Sequence, residues 1–472
     1  MRRWGPAALL CVALTASARA QVACDTPDDL CTGDPCVIGS VEVDDSCVVD
    51  FGTRTLVIEG PLRLPNGGEL SLTAGAIQVA GVIQSMSDTV GGAGPRIGLA
   101  ASGDVLIDGP IRLVGVRSAL VPGEVTVQAG GSLDVRSAMT ALTSPTIIDL
   151  SAGGDVDFSG RINTRRPGGE VTIAAGGRID SFGTFRHLER IDMNAGGDVR
   201  LGGRVSALES LTAESAGVLT LETVLRDSGS DVTLRGALGV LVQRTIGLIP
   251  LFADGGSATL ESSDGDVLVS MPVKARDVSI TAGGDITTNA LVAASPPARS
   301  GGTVVLESTG GIVRTYAPIT AQSGDGFAPG DGAGGHVRLA GTDGVAVYAD
   351  ILVNGWPQNG DAPGGTVEIE GADVSVAYPG TRFDADGHAP GPDFPGAPPA
   401  GFRFTATAGV VDLHGSFHAR GGPSVIQITA PGNVTLEGDY RVAPSGCIGV
   451  SAGGTVASAN ATFDTPPVAV CP

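Results

Sequence analysis

Apolar and polar residues alternate in short stretches that recur through most of the chain. In IIDLSAGGDVDFSGRI (147–162), Ile148 and Leu150 alternate with polar residues, and Val156 and Phe158 do the same after a double glycine. A period of two predicts a β-strand with one buried and one exposed face. Because only glycine adopts positive φ without a steric penalty, the double glycine predicts a sharp corner between two strands.

The same pattern returns many times. It appears again as EVTIAAGGRIDSFG, RIDMNAGGDVRLGG and DVSITAGGDITTNA, and a second motif precedes the first strand of many repeats, as in GGEVTI, GGTVVL, GGHVRL and GGTVEI. Each repeat is therefore predicted to contain a strand, a glycine corner, a second strand, a variable loop, a glycine and a further strand. Helical patterning is nearly absent, and the one candidate for a turn of helix is TFRHLERIDM (184–193).

Self-similarity at a period of roughly 18–28 residues is typical of a solenoid. A propeller needs longer blades with their own motif, a calcium-binding nonapeptide solenoid needs dense G-G-x-G-x-D repeats, and a sandwich gives no reason for one corner motif to recur. In a parallel β-helix, equivalent corners recur because each coil lies on the previous one. The sequence therefore predicts an all-β chain, a right-handed parallel β-helix of about fifteen coils.

The repeat cadence GG-x-V-x-L … AGG-x-I-x-L-x-G-x-I resembles the haemagglutinin-type repeats of secreted bacterial right-handed β-helix proteins. The resemblance covers nearly the whole chain after its first residues. Proteins of that family are typically surface or secreted adhesins, so the resemblance implies a similar role and a bacterial source.

The first twenty residues have the pattern of a secretory signal peptide. MRRWGPAALLCVALTASARA (1–20) has a basic start, an apolar stretch and an A-x-A cleavage site that ends at Ala20. A lipoprotein signal is the alternative, because Cys24 follows shortly, but Gln21 stands where a lipobox has leucine. We expect cleavage after Ala20 and export to the cell surface, the extracellular medium or the periplasm. No later apolar run is long enough to predict a membrane span.

Six cysteines follow the predicted signal peptide, and all lie near the two ends of the chain. An even number in an exported protein predicts disulfides, and a zinc site is disfavoured because no histidine lies near the N-terminal group. We expect the last two cysteines to bond with each other and the first four among themselves, in a pairing that the sequence leaves open. The predicted disulfide residues are Cys24, Cys31, Cys36, Cys47, Cys447 and Cys471.

The cysteine positions suggest a division of the chain. The ends of a solenoid expose unpaired strand edges and an open core, which must be covered. We therefore predict a cysteine-rich N-terminal cap over 21–50, the β-helix over 51–445, and a C-terminal cap with one disulfide over 446–472.

Composition and charge narrow the classes of partner. The chain has 29 basic and 50 acidic residues and a net charge of −21, and such a surface repels phosphates, which argues against nucleic acid and anionic lipid. Aromatic residues make up only 4%, which is low for a carbohydrate-binding groove. We expect a monomer without a cofactor, whose partner is a glycan or protein of a host or cell surface.

One stretch offers residues for chemistry. In VVDLHGSFHAR (410–420) the apolar residues are expected to point inward, so that the polar ones line one outer face, and the loop FDADGHAPGPDF (383–394) lies just upstream. A metal or acid–base site could be assembled from these residues, but a solvated strand face beside a surface loop is the favoured interpretation. The candidates are Asp412, His414, His418 and Arg420 on the strand and Asp384, Asp386, His388 and Asp393 in the loop.

Two weaker motifs also occur. SGDGFAPGDGAGG (323–335) offers Asp325 and Asp331 to Ca²⁺, but a hard cation needs six or more oxygens, so solvated aspartates are favoured. Sequons begin at Asn433 and Asn460, and they mean little in a bacterial protein.

The motifs of β-helix hydrolases that cleave uronic-acid polysaccharides are not matched. Their ordered set is N-T-D, D-D, G-H-G and R-I-K, whereas this chain has NTR at 163–165, GGH at 334–336 and no R-I-K. We therefore predict an exported, non-catalytic, adhesin-like scaffold and assign no catalytic or metal-binding residue. The alternatives are a polysaccharide lyase or glycoside hydrolase that acts on acidic polysaccharide, and a structural rod whose loops bind one partner protein.

Overall fold

The structure is a computed structural model in which the predicted signal peptide 1–20 lies outside the described residues. The side chains of residues 21, 87, 207, 208 and 226 lie outside them too. The described residues are 21–22, 24–43, 46–65, 68–87, 94–115, 122–142, 146–164, 168–226, 230–248, 256–294, 301–323, 333–355, 364–387, 400–420 and 424–471.

The chain forms a parallel β-solenoid of about 15 turns with almost no helix, which confirms the predicted fold class. Each turn contributes one strand to each of three columns of strands, here called sheets 1, 2 and 3 in the order in which a turn passes through them. Within a sheet the strands pair in parallel with strands of adjacent turns; Ile97, for example, lies between Leu70 and Val125. The right hand of the coil stays a prediction.

Most strands belong to a single sheet. Sheet 1 contains Cys47–Asp50, Glu69–Ala74, Arg96–Ala101, Gly123–Ala129, Thr146–Ala152, Gly169–Ala175, Asp231–Gly236, Ser257–Ser262, Asp277–Ala282, Thr303–Ser308, His336–Gly341, Thr366–Gly371, Ala400–Ala406, Ser424–Ala430 and Cys447–Ala452. Sheet 2 contains Cys36–Ile38, Thr55–Ile58, Ala76–Val79, Val105–Ile107, Leu133–Val135, Val156–Phe158, Ile179–Ser181, Val199–Leu201, Val218–Leu221, Gly239–Val242, Asp266–Val269, Ile286–Thr288, Ile312–Thr315, Gly344–Val347 and Val374–Val376. Sheet 3 contains Gln21–Val22, Val41–Val43, Leu62–Leu64, Ile83–Ser87, Ile111–Gly115, Ala138–Ala141, Arg161–Thr164, Leu225–Arg226, Ile246–Gly247, Val273–Ala275, Val292–Ala294, Ile319–Thr320, Ile351–Leu352 and Arg382–Asp384.

Five long strands turn a corner and belong to two sheets. Thr184–Ala195 and Arg204–Ser215 run from sheet 3 into sheet 1. Val411–Ala419, Val434–Val442 and Val456–Phe463 run from sheet 2 into sheet 3.

The core lies inside the coil and is built from alternate residues of all three sheets. Val156 and Phe158 are buried, as predicted, whereas Asp155 and Asp157 are partly exposed. Each fully buried aliphatic or aromatic side chain stabilises the fold by about 1.5–3 kcal/mol relative to exposure. The period-two pattern therefore reports correctly which residues face the interior.

The double glycines lie at the corner between sheets 1 and 2, but for a different reason from the one expected. Gly153 does not have a positive φ. A Cβ atom on Gly153 would lie 2.3 Å from the carbonyl oxygen of Gly130 in the preceding turn, closer than non-bonded atoms approach. Glycine is needed at this corner because the backbones of successive turns come too close for a side chain.

The stretch TFRHLERIDM (184–193) is a strand, so the predicted turn of helix is wrong. The strand changes sheet within this stretch, where its pairing is irregular between Phe185 and Leu188 and His187 has a φ of 59°. Phe185, Leu188 and Ile191 are all buried. These three buried residues are spaced three apart, as on one face of a helix. The spacing arises because the strand turns a corner here and its alternation of buried and exposed residues is interrupted.

Connections of very different length join the sheets. Those from sheet 1 to sheet 2 and from sheet 2 to sheet 3 are short throughout the described residues. The variable connections all run from sheet 3 to sheet 1, and the longest are 321–335, 353–365 and 385–399. Every internal gap in the described residues after residue 43 belongs to one of these connections.

Disulfides lie at both ends of the solenoid, as predicted. Cys24 bonds to Cys47, Cys31 to Cys36, and Cys447 to Cys471, with Cα–Cα distances of 5.2, 5.4 and 5.7 Å. The parallel pairing begins with Gln21–Val22, which pairs with Val41–Val43 within the residues predicted as a cap, and it continues into Val456–Phe463. The ends are therefore covered partly by the outermost turns themselves.

Short segments outside the turns cover the two ends. The helix Pro27–Leu30 begins after Thr26, whose backbone N–H donates to the carboxylate of Asp29 at 2.8 Å, and Leu30 packs on the core. At the other end Val468 forms a parallel bridge with Gly449. Both segments add contacts to turns that have a neighbour on only one side.

Candidate functional site

The strand Val411–Ala419 does not place its polar residues on one face, so that prediction is wrong. Leu413 pairs with Val376 in sheet 2, whereas Phe417 pairs with Phe383 in sheet 3. The strand changes sheet at Gly415, which has a φ of 153°, and the alternation of buried and exposed residues continues across the corner. The result is two separate polar groups, one outside each sheet.

The first group surrounds His414 outside sheet 2. Its Nε2 lies 3.0 Å from Asp412 Oδ1 and its Nδ1 lies 2.8 Å from Glu437 Oε2. Burial alone would lower the pKa of His414, but hydrogen bonds to Glu437 and Asp412 outweigh burial and raise it. Because the two carboxylates contact opposite edges of the ring, they do not converge on one point where a metal could bind.

The second group lies outside sheet 3 and joins the strand to the residues upstream of it. Asp384 and His418 are neighbours in the parallel pairing, and one ligand atom from each of Asp384, Asp386 and His418 lies within 4.8 Å of the others. The structure therefore brings together His418 of the predicted strand and two of the predicted loop aspartates. Arg420 belongs to the same group, because its charge acts on Asp386 to lower the pKa of that carboxyl; the backbone N–H of Gly387 also donates to its carbonyl.

Burial distinguishes the two aspartates of this group. The side chain of Asp384 is only 1% exposed and forms an ion pair through Oδ2 with Arg382. Burial raises the pKa of Asp386, and the charge of Asp384 raises it further, while Arg420 and His418 act in the opposite direction. The Oδ1 atoms of both aspartates are buried without a hydrogen-bond partner.

Sequence reasoning missed three residues of this group. Asp439 Oδ2 lies 3.4 Å from His418 Nε2, and Arg441 forms an ion pair with Asp439. Arg382 pairs with Asp384, as described above. The repeat itself indicated that residues on adjacent turns become neighbours. To identify which residues these are, however, one needs the pairing register between the turns.

Four candidates from the sequence lie outside the described residues, namely His388, Asp393, Asp325 and Asp331. The two sequon asparagines are described, and both bind neighbouring turns. Asn433 Oδ1 accepts a hydrogen bond from the Thr455 backbone N–H at 3.0 Å, and Asn460 Nδ2 donates to Glu437 Oε1 at 3.3 Å. Their side chains therefore have structural contacts of their own.

Among the described residues, two aromatic side chains on the outer surface form a stacked pair. The rings of Tyr316 and Tyr348 lie 4.7 Å apart at an angle of 7°, and the two residues are 50% and 39% exposed. They follow equivalent strands of sheet 2, so the pair is part of the repeat. It offers a small aromatic surface next to Arg314, which pairs with Asp285.

Comparison with protein-family models, with curated proteins and with solved structures gives no match. The resemblance to haemagglutinin-type repeats therefore remains an expectation from the sequence pattern. In the described part of the chain, no helix has the length and apolar character needed to cross a membrane. The disulfide bonds point to a non-reducing environment outside the cytosol.

Proposed function

We propose that this protein is an exported, non-catalytic scaffold of the adhesin type, which presents its sheet 3 to sheet 1 connections to a glycan or protein of a host or cell surface. The observation that carries the proposal is the position of the variable connections. They all leave the solenoid at one corner, whereas the other two corners have short connections. Repetition of the coil thus places the described ends of the variable segments in one row along the solenoid.

The lengths of the sheet 3 to sheet 1 connections indicate which of them form the proposed binding surface. The three longest connections, 321–335, 353–365 and 385–399, come from consecutive turns, and their described ends lie on neighbouring strands. Binding residues are often carried on variable loops that a rigid framework positions. The disulfides support export, since such bonds persist in oxidising compartments.

Binding to immobilised cell-surface glycans and to intact cells tests the proposal. We expect the purified protein to bind, and a variant in which 324–332, 356–363 and 388–399 are each replaced by the short equivalent RRP (165–167) to lose binding. A control variant with the same replacement at 88–93 and 249–255 should keep it. Equal binding by both variants, or no binding by the unchanged protein, would contradict the proposal.

A polysaccharide lyase or glycoside hydrolase is the second candidate, supported by the group of Asp384, Asp386 and His418, in which Arg382 pairs with Asp384 and the charge of Arg420 acts on Asp386. Such enzymes need carboxylates within reach of the substrate. Burial of Asp384 disfavours direct contact with a polysaccharide, which is why catalysis ranks second. Release of reducing ends from an acidic polysaccharide, abolished in Asp386→Asn, would establish the enzyme in place of the scaffold.

A further inference from the structure

Sheet 3 carries a group of ligand-type atoms between two adjacent turns. Asp384 and His418 are paired neighbours, and Asp386 is two residues further along the first of these turns, so that it faces the same side. His418 Nδ1 lies 3.6 Å from Asp384 Oδ1, which is longer than a hydrogen bond. The three ligand atoms lie within 4.8 Å of one another.

Two carboxylate oxygens of this group lack a partner. Asp384 is 1% exposed, and its Oδ2 is used by Arg382 while its Oδ1 has no hydrogen bond. Asp386 Oδ1 is also buried without a hydrogen bond. An unpartnered buried acceptor costs about 1–3 kcal/mol, and more when it is charged. Two such oxygens beside one imidazole therefore indicate that a further positive group belongs between them.

The contacts of His418 orient its Nδ1 atom toward the space beside the Oδ1 atoms of Asp384 and Asp386. Nε2 contacts the carboxylate of Asp439 at 3.4 Å, and Asp439 Oδ1 accepts the hydroxyl hydrogen of Thr462 at 2.8 Å. A carboxylate at Nε2 assigns the proton to that nitrogen and leaves the lone pair of Nδ1 free. Metal-binding histidines have this same arrangement, with a carboxylate that orients the ring from behind.

Backbone contacts hold the two aspartates in place. The Asp386 N–H donates to Asn354 Oδ1 at 2.8 Å, and the Ala385 N–H donates to the carbonyl of His418 at 2.9 Å. Asp384 thus ends a paired strand, and Asp386 lies at the start of the connection that follows it. A site on such a framework needs only small movements of its side chains.

We propose that Asp384 Oδ1, Asp386 Oδ1 and His418 Nδ1 bind one divalent transition-metal ion, with Zn²⁺ as the best fit. One imidazole nitrogen with two carboxylate oxygens suits Zn²⁺, whereas Ca²⁺ takes six to eight oxygens. Tetrahedral Zn²⁺ ligands lie about 3.3 Å apart, so ligand atoms that lie within 4.8 Å of one another need to approach by at most about 1.5 Å. Water completes the coordination, and the ion joins two turns at the base of the connection 385–399.

Titration calorimetry with Zn²⁺ tests the site on the chelator-treated, tag-free chain. We expect one Zn²⁺ per chain, weaker binding of Ca²⁺, and a loss of affinity of more than about 100-fold in His418→Ala. Asp386→Asn should also weaken binding, and it serves as a second variant because it preserves shape. His414→Ala is the matched control and should bind Zn²⁺ like the unchanged protein.

Several results would overturn the site. They are absence of Zn²⁺ binding, tighter binding of Ca²⁺ than of Zn²⁺, unchanged affinity in Asp386→Asn, and a loss in His414→Ala equal to that in His418→Ala. The cell-binding experiment is separate, so this site and the scaffold function can each fail without the other.

Discussion

At the scale of single residues, the aspartate that follows the double glycine links one turn to the next. Asp155 Oδ1 accepts the Arg178 backbone N–H at 2.9 Å, and Asp198 Oδ1 accepts that of Val218 at 2.8 Å. The same contact recurs at Asp104, Asp266, Asp285 and Asp373, and with Asn433 in place of aspartate. The repeated aspartate therefore has a structural role, which explains part of the acidic composition.

Replacement of Asp155 by alanine tests this role. The change leaves the Arg178 N–H without its partner, so we expect the free energy of unfolding to fall by about 0.5–1.5 kcal/mol. Asp157→Ala is the matched control, because Asp157 is partly exposed on the next outward position, and it should change stability by less than about 0.5 kcal/mol. Urea unfolding of both variants measures the difference, and equal midpoints would refute the role of Asp155.

The sequence predicted which residues face inward but not which residues meet on the surface. Alternation alone distinguished Phe158 from Asp157. Asp384 and His418 were both identified as candidates. Their pairing could not be predicted, because the connection between their two turns has a length that the repeat pattern does not determine. The grouping of His414 with His418 failed because alternation continues across Gly415 and gives no sign that the strand changes sheet.

At the scale of elements, aromatic rings stack through successive turns of sheet 3. Phe383, Phe417 and Tyr440 are buried, with ring centroids 4.9 Å apart at each step, and Phe463 continues the stack at 5.2 Å. The Tyr440 hydroxyl donates to the Leu413 carbonyl at 3.3 Å, and burial raises the pKa of Tyr440 well above its usual range. Since Phe463 lies on the last strand, the stack ties the final turns to the interior.

Removal of the ring of Phe417 should be far more costly than removal of an exposed ring. We expect Phe417→Ala to lower the free energy of unfolding by about 3–5 kcal/mol, because it leaves a cavity between Phe383 and Tyr440. Tyr316→Ala removes one ring of the exposed pair and should cost less than about 1 kcal/mol. Denaturant titration compares the two, and similar losses would show that the buried stack does not stabilise these turns.

The positions of most strands could be predicted from the sequence, but a corner inside a long strand could not. The glycine corners and the motif GG-x-V placed the first two strands of each turn, because both depend on local sequence. The strand Thr184–Ala195 was mistaken in part for a helix, since a corner inside it changed the spacing of Phe185, Leu188 and Ile191. Period alone cannot separate a bent strand from a turn of helix.

At the scale of the whole molecule, the solenoid is a linear stack in which each turn contacts only its neighbours. A middle turn is paired on both sides, whereas a terminal turn is paired on one side. The disulfides Cys24–Cys47 and Cys447–Cys471 join the terminal turns to the chain beyond them. The sequence predicted this arrangement, because cysteines occur only near the ends and open ends need covering.

Hydrogen exchange after mild reduction tests most directly whether the protein is a stack of coils stabilised at its ends by disulfides. Because the middle turns need no disulfide, we expect amide exchange to accelerate only near residues 24–60 and 440–471, while the centre keeps its protection. The oxidised protein is the control and should be protected at both ends. Equal acceleration along the whole chain, or unchanged protection at the ends, would contradict this account.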